Sequence, residues 1–198
     1  IIENLVEGGV PANALMPGTG ACSVTDAVEL TKMAVTAGVG GVLMLPPWYY
    51  KNPSDAGLFR FFSEVIQRVA DSRLQIYLYH FPQMSATPIS YNLIEMLLKQ
   101  YPGTVTGMKD SSGDLENMVG AAEKFPGFEV MAGSEHCFYP LLKQGGAGCI
   151  TACSNVTSKL AQDVFTAFKQ DEEPLVAIES LVAIRNVIQK YPLSSALK

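Results

Sequence analysis

Six times along the chain a short apolar run breaks off into polar turn residues, and each time a helix-spaced segment follows. The runs fall at residues 13–16, 41–45, 74–81, 105–109, 128–132 and 148–152. They are continuous rather than alternating, which is the pattern of strands buried on both faces. Strands of that kind separated by helices imply a parallel sheet with crossover connections. A (β/α)8 TIM barrel takes about 250 residues, so six such units account for most of one, with two units lacking. A doubly wound open sheet is the competing fold. Against it, no run is followed by a full G-x-G-x-x-G; Gly18-Thr19-Gly20 is a partial match, and position 23 is Ser.

The intervening segments carry their own start and stop signals. Helical spacing over residues 1–7 is stopped by Gly8-Gly9. Thr25 is placed to cap a helix over 25–37, whose apolar stripe is Ala27, Leu30, Ala34 and Ala37. Ser54 is placed to cap a helix reaching about residue 70, with Leu58, Phe61, Phe62, Val65 and Val69 on one face. Further helices are expected over 90–100, 114–124, 135–144, 157–169 and 172–189. The chain opens at Ile1 on a segment that reads as a helix already under way, so a fragment of a longer protein is expected. An eight-stranded barrel short of two strands has two open sheet edges, which invite pairing and aggregation.

Composition removes several function classes. The chain is 48% hydrophobic and 17% charged, which suits one sizeable core. Its net charge is −5 and the basic residues do not cluster, which argues against nucleic acid or an anionic membrane surface as partner. No apolar stretch reaches the roughly 20 residues a membrane helix needs, and none reads as a signal peptide. Cys22, Cys137, Cys149 and Cys153 lack CxxC spacing and read as reduced core residues of a cytoplasmic protein. His80 and His136 have no metal-ligand spacing, and structural roles are expected for both.

In a parallel barrel, chemistry collects at the carboxyl ends of the strands. Those ends offer Thr19, Trp48-Tyr49-Tyr50, Tyr79-His80, Lys109-Asp110, Ser134-Glu135 and Thr151-Ala152. Lys109 closes the run from Val105, and Gly107, two residues earlier on the same strand face, leaves space beside it. Burial disfavours the charged form of an amine, and a neutral amine attacks carbonyls to form a Schiff base. The competing reading is a strand-end lysine paired with Asp110 at the surface. Tyr79 ends the preceding strand, where a phenol could carry protons or simply be a half-buried aromatic. Trp48-Tyr49-Tyr50 suits a core cap or an interface.

With those residues in place, the chain resembles the dihydrodipicolinate synthase / N-acetylneuraminate lyase family, the class I Schiff-base aldolases, over essentially its whole length. The specific part is Tyr-x-x-Pro at Tyr79-His80-Phe81-Pro82, then G-x-K-[DE]-[AS]-[ST]-G-[DN] at Gly107-Met108-Lys109-Asp110-Ser111-Ser112-Gly113-Asp114. Gly18-Thr19-Gly20-Ala21, Pro47-Trp48-Tyr49-Tyr50 and Gly145-Gly146-Ala147-Gly148-Cys149-Ile150 also fit. The resemblance implies that the chain supplies about strands 3 to 8 of a (β/α)8 barrel over residues 1–170. Residues 171–198 are then the start of a C-terminal helical extension.

By the same resemblance Lys109 is the imine-forming lysine and Tyr79 the proton-shuttling tyrosine. Tyr49 matches the aromatic that reaches into a neighbouring subunit's site in tetrameric members, and Ile150 the position whose carbonyl lies beside the bound keto acid. The implied substrate is pyruvate or a related 2-keto acid, with no metal or organic cofactor, in a homo-oligomer, dimer or tetramer. The family's upstream Gly-Thr-Thr-Gly-Glu motif is absent from these residues, and the run from Tyr191 to Lys198 looks like the start of another family helix. The synthase subgroup has an arginine two residues after the proline, where this chain has Met84. That departure favours an aldolase, or a dehydratase of a keto-deoxy sugar acid, over a synthase. Two other readings stand beside the lyase: a non-catalytic barrel homologue acting as a binding or structural subunit, and a phosphate or nucleotide binder built on the turns near Gly133 and Gly145. The last lacks the lysine and hydroxyl of a P-loop.

Overall fold

Five of the six apolar runs become regular strands: β1 Val42–Met44, β2 Ile76–His80, β3 Val105–Asp110, β4 Glu129–Ala132 and β5 Gly148–Cys149. In the computed structural model, which describes residues 1–198, they form a parallel sheet in the order β1-β2-β3-β4-β5. The strands are short; β1 to β4 are mostly buried apart from Glu129 at the start of β4, as continuous apolar runs require, and β5 is half-buried. The chain divides into two compact units, Ile1–Met108 and Lys109–Lys198.

The first unit holds α1 Ile2–Glu7, α2 Val24–Thr36, α3 Asp55–Val69, the single turn α4 Pro82–Ser85, and α5 Tyr91–Gln100. β1 and β2 pair through Val42 with Ile76, Leu43 with Tyr77 and Met44 with Leu78. α3 buries the expected face of Leu58, Phe61, Phe62, Val65 and Val69. Burying side chains of this size contributes about 1.5–3 kcal/mol each. Ser54 caps α3, accepting from the Gly57 amide at 3.2 Å, and Ser90 caps α5, accepting from the Leu93 amide at 3.0 Å.

Three local expectations for this unit are corrected. Residues 13–16 are not a strand. Pro11, with φ −58°, leads into a 3-10 turn over Ala12–Ala14, and the chain from Leu15 then runs irregularly beside β1. Its links to β1 are the Gly18–Leu43 bridge and the bonds Leu43 N to Pro17 O, 2.9 Å, and Thr19 N to Leu43 O, 3.0 Å. The cap of α2 is Ser23, which accepts from Asp26 N at 3.3 Å, rather than Thr25. The face α2 buries is Ala27, Val28, Thr31, Ala34 and Val35, and Leu30 stays exposed.

The second unit carries α6 Leu115–Lys124, α7 Glu135–Leu142, α8 Ser154–Lys169, α9 Leu175–Ile188 and α10 Leu193–Ala196. β4 and β5 pair through Met131 with Gly148 and Ala132 with Cys149. The core of this unit includes Met118, Val130, Phe138, Leu141, Val164 and Leu181. No helix in the chain is long and apolar enough to cross a membrane.

Candidate active site

The turn after Lys109 is built entirely from the residues that follow it. Asp110 is fully buried. Its Oδ1 accepts from the Ser112 amide at 2.7 Å and from Ser112 Oγ at 2.5 Å, and its Oδ2 accepts from Asn117 Nδ2 at 2.7 Å. Ser112 Oγ accepts in turn from the Asp114 amide at 3.1 Å, and Asp114 caps α6 by accepting from Asn117 N at 3.1 Å. Gly113 sits at φ +80°, where a side chain is strained. Four of the five residues of Asp-Ser-Ser-Gly-Asp therefore shape the turn: Asp110 as buried acceptor, Ser112 as donor and acceptor, Gly113 as left-handed turn and Asp114 as helix cap. The reading of Asp110 as a surface partner for Lys109 is corrected, because its carboxylate points into this turn. Lys109 itself is half-buried at the carboxyl end of β3, after the fully buried Met108.

Gly133, at the end of β4, lets the neighbouring strand end come close. A Cβ there would lie 2.6 Å from Ser111 Cα and 2.7 Å from the Asp110 carbonyl oxygen. Its amide donates to that same carbonyl at 2.7 Å. On the other side of β4, the Ile150 amide donates to Ala132 O at 2.9 Å. Lys109 and Ile150 thus stand at strand ends that flank β4, two strand spacings apart, about 10 Å.

A second polar cluster lies at the same ends. Glu135, the first residue of α7, is 3% exposed. Thr151 Oγ1 donates to Glu135 Oε1, and the same Oγ1 accepts from the Ser154 amide at 3.2 Å. Arg185 on α9 reaches Glu135 Oε2 at 3.4 Å, and its Nη1 also lies 3.7 Å from Cys153 Sγ. Arg185 Nε is buried with no acceptor. Burial first, and then the Glu135 carboxylate, push the Cys149 thiol up to about 12 and raise Cys153 as well. The sequence marks Glu135 and Thr151 as strand-end residues without assigning them a role; Arg185 carries no signal at all. The recognisable sign is a charged residue opening a helix that is apolar or aromatic from Cys137 to Leu142.

The remaining candidates lie in the first unit. Tyr79 is half-buried near the end of β2 and stacks on Phe81, centroids 5.7 Å apart at 24°. Tyr49 follows β1 and is 73% exposed, packed edge-on to Tyr50 at 5.4 Å. Its amide donates to Cys22 Sγ at 3.3 Å. Thr19 is buried and takes a hydrogen bond from Thr31 Oγ1 at 3.0 Å. His80 is buried with Nδ1 accepting from the Ile89 amide at 3.0 Å, and in the second unit His136 Nε2 lies 3.0 Å from Asn186 Oδ1, so both histidines have structural partners. No three His, Cys, Asp or Glu side chains converge as a metal site. Met84 is 70% exposed on α4, two residues after Pro82.

The chain as a whole is similar to known proteins. A "DapA-like lyase" of Chloroflexus aurantiacus is 34% identical over 186 residues, covering 93% of this chain and 62% of that protein. A "4-hydroxy-tetrahydrodipicolinate synthase" of Thermus thermophilus is 35% identical over 156 residues, covering 78% of this chain and 50% of that one. The crystal structure of dihydrodipicolinate synthase from Agrobacterium tumefaciens superposes with a TM-score of 0.86 at 25% identity, over 99% of this chain and 66% of that one. The chain spans between half and two thirds of each of these proteins. The βα units described above are therefore part of a (β/α)8 barrel of that kind. The sequence profile of the Dihydrodipicolinate synthetase family matches residues 1–198 from end to end, and the chain belongs to that family.

Proposed function

We propose that this chain carries the imine-forming centre of a class I lyase acting on pyruvate or a related 2-keto acid. The observation behind it is Lys109: a half-buried lysine at the carboxyl end of a central strand, followed by a turn whose polar groups satisfy one another. Lys109 Nζ adds to the keto carbon, the carbinolamine loses water, and a C=N bond replaces C=O. The protonated imine withdraws the electron pair of a bond to the adjacent carbon, either C–H or C–C. Protonation at carbon and hydrolysis then release the product and free the amine. The imine is itself the electron sink, so the step calls for no metal or organic cofactor. In this reading the Tyr79 hydroxyl carries the protons, and Ile150 lies beside the keto acid.

Tyr49, highly exposed beyond β1, suits a residue that completes a neighbouring subunit's site, which makes the working form a dimer or tetramer. Met84 in place of an arginine favours an aldolase or a dehydratase of a keto-deoxy sugar acid over a synthase. All four cysteines are free thiols, which suits the cytoplasm.

The test is borohydride reduction of the full-length protein with pyruvate and a panel of keto-deoxy sugar acids, followed by peptide mass mapping. The expected result is an adduct on the Lys109 peptide, absent in Lys109→Ala. Tyr79→Phe should still be labelled, with turnover reduced by about 10²- to 10⁴-fold. A full-length protein that no keto acid labels overturns the reading, and the barrel is then a non-catalytic subunit.

A further inference from the structure

The Glu135 cluster is built as a clamp on one turn. Thr151 directly follows Ile150, and its hydroxyl is held from both sides. It donates to Glu135 Oε1 and accepts from the Ser154 amide at 3.2 Å. Ile150 is fixed to β4 by its own amide, 2.9 Å from Ala132 O. The remaining carboxylate oxygen of Glu135 is held by Arg185 at 3.4 Å, with side-chain exposures of 2% and 18%. Three elements meet there: the start of α7, the turn between β5 and α8, and α9.

Stability alone is a poor account of such a pair. Desolvating two charges offsets most of their attraction, and apolar residues of similar volume often do as well or better. Here the pair is also incomplete, because Arg185 Nε is buried without an acceptor. Local rules of this kind are broken mostly where function requires it. An orienting role explains the arrangement: with one oxygen held by the arginine, the carboxylate is fixed in rotation and its other oxygen is turned toward the Thr151 hydroxyl.

We propose that Arg185 is a positioning residue for the keto-acid site: through Glu135 it fixes Thr151, and with Thr151 the turn that presents Ile150. This rests on the reading of Lys109 as the imine former. Arg185 and Glu135 touch no reacting atom. They set where the turn stands, so their loss weakens keto-acid binding and leaves the chemistry at Lys109 intact.

The experiment titrates pyruvate in the borohydride reaction of the full-length protein. It reads the half-saturating concentration and the final labelled fraction of Lys109, with the melting temperature of each variant alongside. Thr151→Val, which removes only the hydroxyl, and Arg185→Met should raise the half-saturating concentration by about tenfold or more, with labelling still complete at saturation. Arg185→Lys should recover most of that loss. Thr151→Val keeps the test decisive where Arg185→Met folds poorly. Half-saturation unchanged in Thr151→Val, with only the melting temperature lowered, overturns the inference and leaves the Lys109 reading standing. No adduct in the unaltered protein overturns both.

Discussion

Cys149 shows how a buried carboxylate is felt by its neighbours. Its thiol is held up to about 12, against an ordinary 9.0, first by burial and then by Glu135. Below the ordinary value both folded and unfolded chains keep the proton, and the stability is intact. Between 9.0 and 12 the unfolded thiol ionises while the folded one does not, so the unfolded state gains and stability falls as pH rises. One proton changes stability by up to about 1.4 kcal/mol per pH unit across that window. Tyrosines and lysines titrate there too, so the informative quantity is a difference. Unfolding free energies of the unaltered protein and of Cys149→Ser, measured in denaturant as pH is raised through the window, should diverge, with the serine variant losing less. Parallel curves would show that the thiol ionises alike in both states. Free thiolate is also the reactive form, so Cys149 should resist alkylation in the folded protein at neutral pH.

Helix starts in the first unit are tied to one another as well as capped. Ser90 caps α5 and also donates to Asp55 Oδ2 at 2.7 Å, where Asn92 Nδ2 donates as well at 2.8 Å. Asp55 opens α3, whose cap is Ser54. Ser54→Ala removes a cap alone and should cost about 1 kcal/mol. Ser90→Ala removes a cap and a hydrogen bond to a carboxylate and should cost about 2 kcal/mol or more. Equilibrium denaturation with unchanged m-values measures both, and equal losses would show that the Asp55 link contributes nothing. The Ser54 cap was legible in the sequence because a serine before an apolar stripe has one local use, whereas at Ser90 the expectation is only a helix over 90–100 and the structure adds the cap. At Ser23-Val24-Thr25 two capping residues compete, and spacing does not choose between them. The segment around Ala12–Ala14 misleads for a related reason: four small or apolar residues beside an asparagine suit an extended run as well as a turn, and Pro11 decides for the turn. The turn after Lys109 was legible because the hydrogen bonds that shape it, from Asp110 to Ser112 and Asn117 and from Asp114 to Asn117, are local. The link from Arg185 to Glu135 joins residues 50 apart, and no periodicity encodes it.

For the whole molecule, the matter to settle is whether residues 171–198 are an appendage to the barrel units or part of their support. We propose the division at residues 170 and 171 as the start of a C-terminal helical extension, yet side chains on both sides of it interlock within the second unit. Glu173 meets Lys143 at 3.2 Å, Asn186 meets His136 at 3.0 Å, and Arg185 meets Glu135 at 3.4 Å, all three reaching α7 or the residue just after it. They are unequal. The Lys143–Glu173 pair is half exposed on both sides, and pairs of that kind contribute about 0–1 kcal/mol. Removing Arg185 is different, because it leaves the buried Glu135 carboxylate without its cation, a loss of about 3–5 kcal/mol. Leu181, 2% exposed, would lose its burial as well. Ending the chain at residue 170 should therefore lower the unfolding free energy by several kcal/mol, and adding Glu135→Gln to the shortened chain should recover part of it, since no buried charge then remains unpaired. A neutral glutamine that recovers nothing would assign the loss to apolar contacts of α9, and an unchanged stability on truncation would make 171–198 a true appendage.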